Sequence, residues 1–154
     1  MLTKILIAGF PVIVTVGIHT LGFDALLRAI MWSRALARSG VWRVGPLVVG
    51  LTCWLVLIHL VEIYIWGLFY FWQDWFPDAV SALYFSAGAY TTVGSDLVLP
   101  KPWRMLAPLE ALTAALMFGL STGLFFAVVS RWIHNWMERQ TALEPRSLPP
   151  TSNK

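Results

Sequence analysis

Apolar residues in this chain come in long blocks rather than at the two-residue spacing of strands. Ile5 to Phe23 holds no formally charged residue, Val44 to Gln73 holds only Glu62, and Met105 to Trp132 holds only Glu110 and Arg131. At a rise of about 1.5 Å per residue, each block is long enough to cross a hydrocarbon core of roughly 30 Å. Three transmembrane helices are therefore predicted. A shorter helical run, Ala79 to Tyr90, lies between the second and third blocks with Asp78 as its N-cap. It leads into the hydroxyl- and glycine-bearing stretch Thr91 to Asp96.

The polar intervals set the connections. Asp24 to Arg43 carries Arg28, Arg34, Arg38 and Arg43 against the single acid Asp24, with Leu26, Leu27, Ile30 and Met31 at helical spacing. It reads as an amphipathic helix on the membrane face or equally as a positively charged loop, ended by Ser39-Gly40. Gly45-Pro46 opens the second span, where proline is tolerated in a first turn. Asp74 to Asp78 forms a short outer turret. Trp42 and Trp72 stand about 45 Å apart at helical rise, the thickness of a bilayer with its headgroup zones, and Trp103 and Trp132 repeat the bracketing.

Composition agrees with this division. The chain has 154 residues, of which 58% are hydrophobic and 12% charged, and its mean hydropathy is +0.68. Those values lie outside the soluble globular range. The expected organisation is a first transmembrane helix with a basic connecting segment over 1–43, a central unit over 44–133, and a proline-bearing tail over 134–154 that continues the inner helix for a turn or two and is then disordered. No cytoplasmic ligand-binding domain fits in that tail. A signal peptide is the rival reading of the first block, but no small-residue cleavage pattern follows His19 to Gly22, so it is taken as a retained helix.

Within a membrane, irregular backbone is tolerated only where protein buries it or where it lines a water-filled path. Thr91-Thr92-Val93-Gly94-Ser95 in such a place suggests a re-entrant pore loop. Rings of backbone carbonyls replace the water that an ion sheds in a narrow pore. Thr92 would add its hydroxyl, and Gly94 would adopt the unusual φ that turns successive carbonyls one way. One chain supplies one side of a ring, so a symmetric homo-oligomer is implied.

From about Asp78 to Arg131, the order ALYFS, TTVG, DLV, WRMLAPLEA and a glycine-bearing helix ending FFAVVSR resembles the pore module of the tetrameric potassium-channel superfamily. That family's signature is a pore helix leading into T-V-G-Y-G-D. The resemblance implies an all-α membrane protein with three transmembrane helices, a re-entrant pore helix and a filter loop, assembled as a homotetramer. It also implies passive conduction of potassium through filter carbonyls. The chain departs from the signature at one place: with DLV aligned, Ser95 stands where the family has Tyr-Gly. At about 3.3 Å per extended residue, the filter loses roughly one coordinating layer and its bracing tyrosine. A non-selective monovalent cation channel, passing Na+ as well as K+, is thus one alternative, and a non-conducting structural or regulatory subunit is another.

Several further residues fall near this loop. Asp96 would ring the outer mouth with negative charge. Glu110 and Asp96 are read as supports of the filter. Glu62 is an intramembrane acid, hydrogen-bonded to His59 one turn away or to His19 on the first helix, or else acting as a proton or cation sensor. Gly119 and Gly123 form a gating hinge or a small-residue packing face.

His19, His59 and His134 lack zinc spacing, so no metal is expected beyond the permeant cation, and no cofactor or nucleic-acid partner. The expected partners are monovalent cations, the lipid bilayer and further copies of the chain. No catalytic motif is present, although a small intramembrane enzyme would require His19, His59 and Glu62 to converge on a cavity away from the four-fold axis. Eight basic residues (Arg28, Arg34, Arg38, Arg43, Arg131, Arg139, Arg146, Lys154) fall on one side and three (Lys4, Lys101, Arg104) on the other. The positive-inside rule then puts the N-terminus outside and the C-terminus in the cytoplasm, in a cell (inner) membrane.

Overall fold

The structure, a computed structural model, describes residues 2–36 and 44–143. Four α-helices account for most of them: α1 (Leu2–Leu36), α2 (Val44–Trp72), α3 (Ala79–Tyr90) and α4 (Leu106–Leu143), with a single 3-10 turn at Lys101–Trp103 before α4. Among the described residues there is no strand. Ile7–Trp32, Gly45–Trp72 and Lys101–His134 are each long and apolar enough to cross a membrane. The protein is therefore an all-α, multi-pass membrane protein.

The bounds of α2 and α3 follow from the sequence. Pro46 sits in the first turn of α2, where its missing N–H costs no hydrogen bond. The turn after Trp72 is closed by the Asp74 N–H on the Phe71 carbonyl, with Asp74 in the left-handed region at φ 55°. Helix α3 begins at its expected cap and ends at Tyr90.

Two helices run further than expected. The Asp24–Arg43 interval is not a separate segment up to Leu36, because α1 continues through it as one helix. No glycine or proline interrupts 24–36, and Arg28 Nε donates to Asp24 Oδ2 at 2.7 Å in an i,i+4 pair, which supports a helix surface. The Ser39-Gly40 stop, Trp42, Arg38 and Arg43 lie outside the described residues. At the other end, the tail expected from 134 is helical as far as Leu143. His134 and Glu138 pair at 3.1 Å one turn apart, and the first proline after the span is Pro145. Residues 144–154, including Arg146 and Lys154, lie outside the described residues.

Helix α2 is the spine. On one half of its length Trp66, Phe69 and Tyr70 pack with Phe76, Phe85, Tyr90, Leu106 and Ala114, which wedges α3 between α2 and α4. On the other half Leu51, Leu55 and Ile58 meet Leu26 of α1 and Val128 of α4. Helix α1 lies along α2, and Trp54 Nε1 donates to the Gly22 carbonyl at 3.0 Å. Between helices in lipid the hydrophobic effect supplies little net drive, so close packing and polar links carry the association. The described spans hold two buried carboxylates, Glu62 and Glu110, and both lie where helices meet.

Candidate functional site

The candidate loop is held from both ends of α3. At the N-terminus, Ser81 donates its backbone N–H to Asp78 Oδ1 at 2.8 Å and its hydroxyl to Oδ2 at 2.9 Å. These bonds, the backbone one first, hold the Asp78 carboxyl below the usual carboxylate range. At the C-terminus the Thr91 N–H and hydroxyl both reach the Ala87 carbonyl, at 3.0 and 2.7 Å. Thr91 thus serves as the helix terminus, with its side chain committed to the last turn.

The chain then reverses over that last turn. Thr92 N–H donates to Ala89 O at 3.1 Å and Gly94 N–H donates to Gly88 O at 2.9 Å. Thr92 has φ 61° and Gly94 φ 89°. A β-branched residue at positive φ is a genuine outlier, and such strain persists only where surrounding structure enforces it. The positive φ expected of Gly94 is present, and Thr92 shares it. Left-handed residues at 92 and 94 flanking Val93 break the alternation by which an extended chain sends successive carbonyls to opposite sides.

Gly88 is what allows this reversal. A Cβ there would collide with the Gly94 carbonyl oxygen and lie 3.0 Å from its carbon and 3.3 Å from Ser95 Cβ. The Gly94 oxygen therefore faces the helix, while Thr92 and Val93 are exposed at the tip. Val93 is 84% exposed in the single chain. Ser95 accepts the Leu97 N–H on its hydroxyl at 3.1 Å, closing the turn that leaves the loop. Asp96 is exposed beyond it.

Behind the loop stand two buried polar clusters. Glu110, fully buried on α4, accepts the Tyr70 hydroxyl of α2 at 2.6 Å and lies 2.6 Å from the Ser86 hydroxyl of α3. Ser86 also reaches the Ile63 carbonyl at 2.9 Å. One carboxylate thus ties three helices together.

The second cluster lies at the C-terminal end of α3. Glu62 is fully buried and His19 almost so. His19 Nδ1 is 2.7 Å from Glu62 Oε1, and His59 Nδ1 is 3.3 Å from Oε2. The Tyr90 hydroxyl donates to Glu62 Oε2 and sits 2.9 Å from His59 Nδ1. Ser121 Oγ lies 3.1 Å from His59 Nε2 and 3.4 Å from His19 Nε2. Both histidines offered as partners of Glu62 are therefore its neighbours at once. Tyr90 immediately precedes Thr91, so the cluster links α1, α2 and α4 to the foot of the loop.

Tyr70, Ser86, Gly88, Tyr90 and Ser121 were not singled out from the sequence. Ser86 and Tyr90 are one turn apart on the same side of α3, a spacing that signals a shared face but not what that face meets. Gly119 and Gly123 lie on an exposed face of α4 with open space around them. Phe118 meets His59 at 4.5 Å in a tilted contact and Tyr90 at 5.5 Å edge-on, between ring centroids. Phe125 packs beside Leu26 and Val128, and Phe126 is exposed.

A family model described as "Ion channel" matches residues 48–131, which is more than half of the chain. The matched stretch contains most of α2, all of α3, the loop and most of α4. No curated protein and no solved structure matched.

Proposed function

The chain belongs to this ion-channel family, and from that premise we propose that it conducts monovalent cations passively, potassium foremost, through a homotetrameric pore whose filter is built at Thr92 and Val93. The observation that carries the reading is the pair of left-handed residues, Thr92 and Gly94, at an exposed tip directly after a short helix buried along one face. Backbone polar groups at such a tip must meet protein or water when the chain is in a bilayer. Further copies around an axis supply that cover and complete a ring.

The C-terminal end of α3 carries a partial negative charge, and it ends at Thr91. Four such ends would stabilise a cation near the axis. The carbonyls of Thr92 and Val93 and the Thr92 hydroxyl are the proposed coordinating oxygens, because the Gly94 oxygen backs onto Gly88. Asp96 at the exposed mouth would concentrate cations electrostatically. The bias of basic residues supports an outside N-terminus and a cytoplasmic C-terminus in a cell membrane.

A second reading, a non-selective cation channel, is favoured by Ser95. Its hydroxyl is spent on the Leu97 N–H, and it has no ring with which to brace the filter. His19, His59 and Glu62 do approach one another, one part of the condition set for an intramembrane enzyme, but the family match points to a channel instead. The test is flux from liposomes carrying the purified protein, with potassium, sodium and a large impermeant cation compared side by side. Potassium flux above the sodium rate supports the first reading, and equal rates support the second. Flux no greater than from empty liposomes overturns both.

A further inference from the structure

We propose that His19, His59 and Glu62 form an intramembrane binding site for a divalent transition-metal ion of the zinc class, with Ser121 and Tyr90 as its supporting shell. Each of the three side chains offers a ligand atom, and these atoms lie within 4.8 Å of one another. In tetrahedral zinc sites with bonds of about 2.0–2.2 Å, neighbouring ligand atoms stand roughly 3.4 Å apart. His59 Nδ1 stands 3.3 Å from Glu62 Oε2 and His19 Nδ1 2.7 Å from Oε1, so the two imidazoles flank the carboxylate, one at each oxygen, and small side-chain shifts bring the three donors to that spacing about one ion. Two imidazoles and one carboxylate, with a fourth position left to water, is a donor set that suits zinc.

The supporting shell points the same way. Metal-bound histidine almost always donates its other ring N–H to an oriented acceptor. Here both Nε2 atoms, from histidines on different helices, converge on one acceptor, Ser121 Oγ, at 3.1 and 3.4 Å. A serine hydroxyl has one proton and two lone pairs. It cannot satisfy two bare imidazole nitrogens, but it can accept from two Nε2–H groups at once. Binding a metal at both Nδ1 atoms fixes that tautomer on both rings. Meanwhile the Tyr90 hydroxyl donates to Glu62 Oε2, which orients the carboxylate. The ligands come from α1 and α2 and the supporting groups from α3 and α4, so a bound ion would lock all four helices beside the loop.

The site is independent of conduction, and binding is read at equilibrium without flux. Full-length protein in detergent, stripped with a chelator, is titrated with Zn2+ by calorimetry and then with Co2+ by absorption. One zinc per chain and an intense tetrahedral Co2+ band are expected. His19→Gln, His59→Gln and Glu62→Gln should each weaken binding at least tenfold. Ser121→Ala, which removes a positioning residue only, should weaken it about 10–100-fold. The exposed pair His134 and Glu138, 3.1 Å apart, is the place for adventitious zinc, and His134→Gln should leave the affinity unchanged.

The proposal is overturned if the unmodified protein retains no zinc, if His134→Gln abolishes binding, or if folded His19→Gln and Glu62→Gln proteins bind as wild type does. Should those variants not fold, the unmodified protein still decides. A weak, octahedral Co2+ spectrum identical to that of the aqueous ion overturns the site.

Discussion

Gly88→Ala tests the contact on which the loop geometry rests. The new Cβ would strike the Gly94 carbonyl oxygen and stand 3.0 Å from its carbon, about half an ångström inside the ~3.5 Å of optimal contact. The obstacle is backbone rather than a flexible side-chain end, so the loop itself has to retreat. Retreat lengthens the 2.9 Å bond from Gly94 N–H to Gly88 O, worth about 1 kcal/mol, and overpacking adds about 1–3 kcal/mol. A destabilisation of roughly 2–4 kcal/mol is therefore expected in thermal melts of the purified protein. The displacement matches the roughly 0.5 Å tolerance of preorganised sites, so the potassium-to-sodium permeability ratio in liposomes should fall as well. Gly94→Ala is the companion: its Cβ meets open space and its strain comes from φ 89° alone, at about 1–3 kcal/mol. A Gly88→Ala protein with wild-type melting and an unchanged permeability ratio would refute the close-approach reasoning.

Other outcomes follow from the same geometry. Glu110→Ala strands the Tyr70 hydroxyl, whereas Ser86 retains the Ile63 carbonyl; a loss of about 1–3 kcal/mol is expected from one unsatisfied group. Glu110→Gln keeps an acceptor for Tyr70 and a donor for Ser86, so its melting temperature should stay near wild type, and equal losses in the two variants would discredit the tie. Replacing Ser95 by Tyr-Gly restores the absent layer and is expected to raise the potassium-to-sodium ratio, read as a shift of reversal potential under bi-ionic conditions; an unmoved potential counts against it. Asp78, whose carboxyl is held below its ordinary 3.8 by Ser81, contributes stability above that value and loses it as pH falls through its lowered folded value. Asp78→Asn should flatten this acid-side loss, and an identical pH profile for both proteins would remove the cap from the account.

Membrane placement, three spans and the bounds of α2 and α3 were legible without coordinates, because they depend on local matters: block length, the Asp78 cap and proline in a first turn. The TTVG stretch after a short helix was equally legible as a loop candidate. Where α1 and α4 end was misjudged, since charges such as Arg28 and Glu138 look like a boundary in sequence yet find helical partners one turn away.

Beyond His19 as a partner for Glu62, which an intramembrane acid's need for a polar neighbour suggested, pairwise approach between distant residues was out of reach. Nothing local to Gly88 announces that Gly94 folds back onto it, and nothing near Glu62 says that His19, His59, Tyr90 and Ser121 all arrive together. Those juxtapositions arise from how four helices cross, a matter of side-chain packing summed over the whole molecule. The sequence determined which residues could serve as oxygens, imidazoles and hinges. Tertiary structure alone decided which of them meet, turning Glu62 from an acid with one histidine partner or the other into the centre of a cluster and the Gly94 carbonyl from a free oxygen into a packed one.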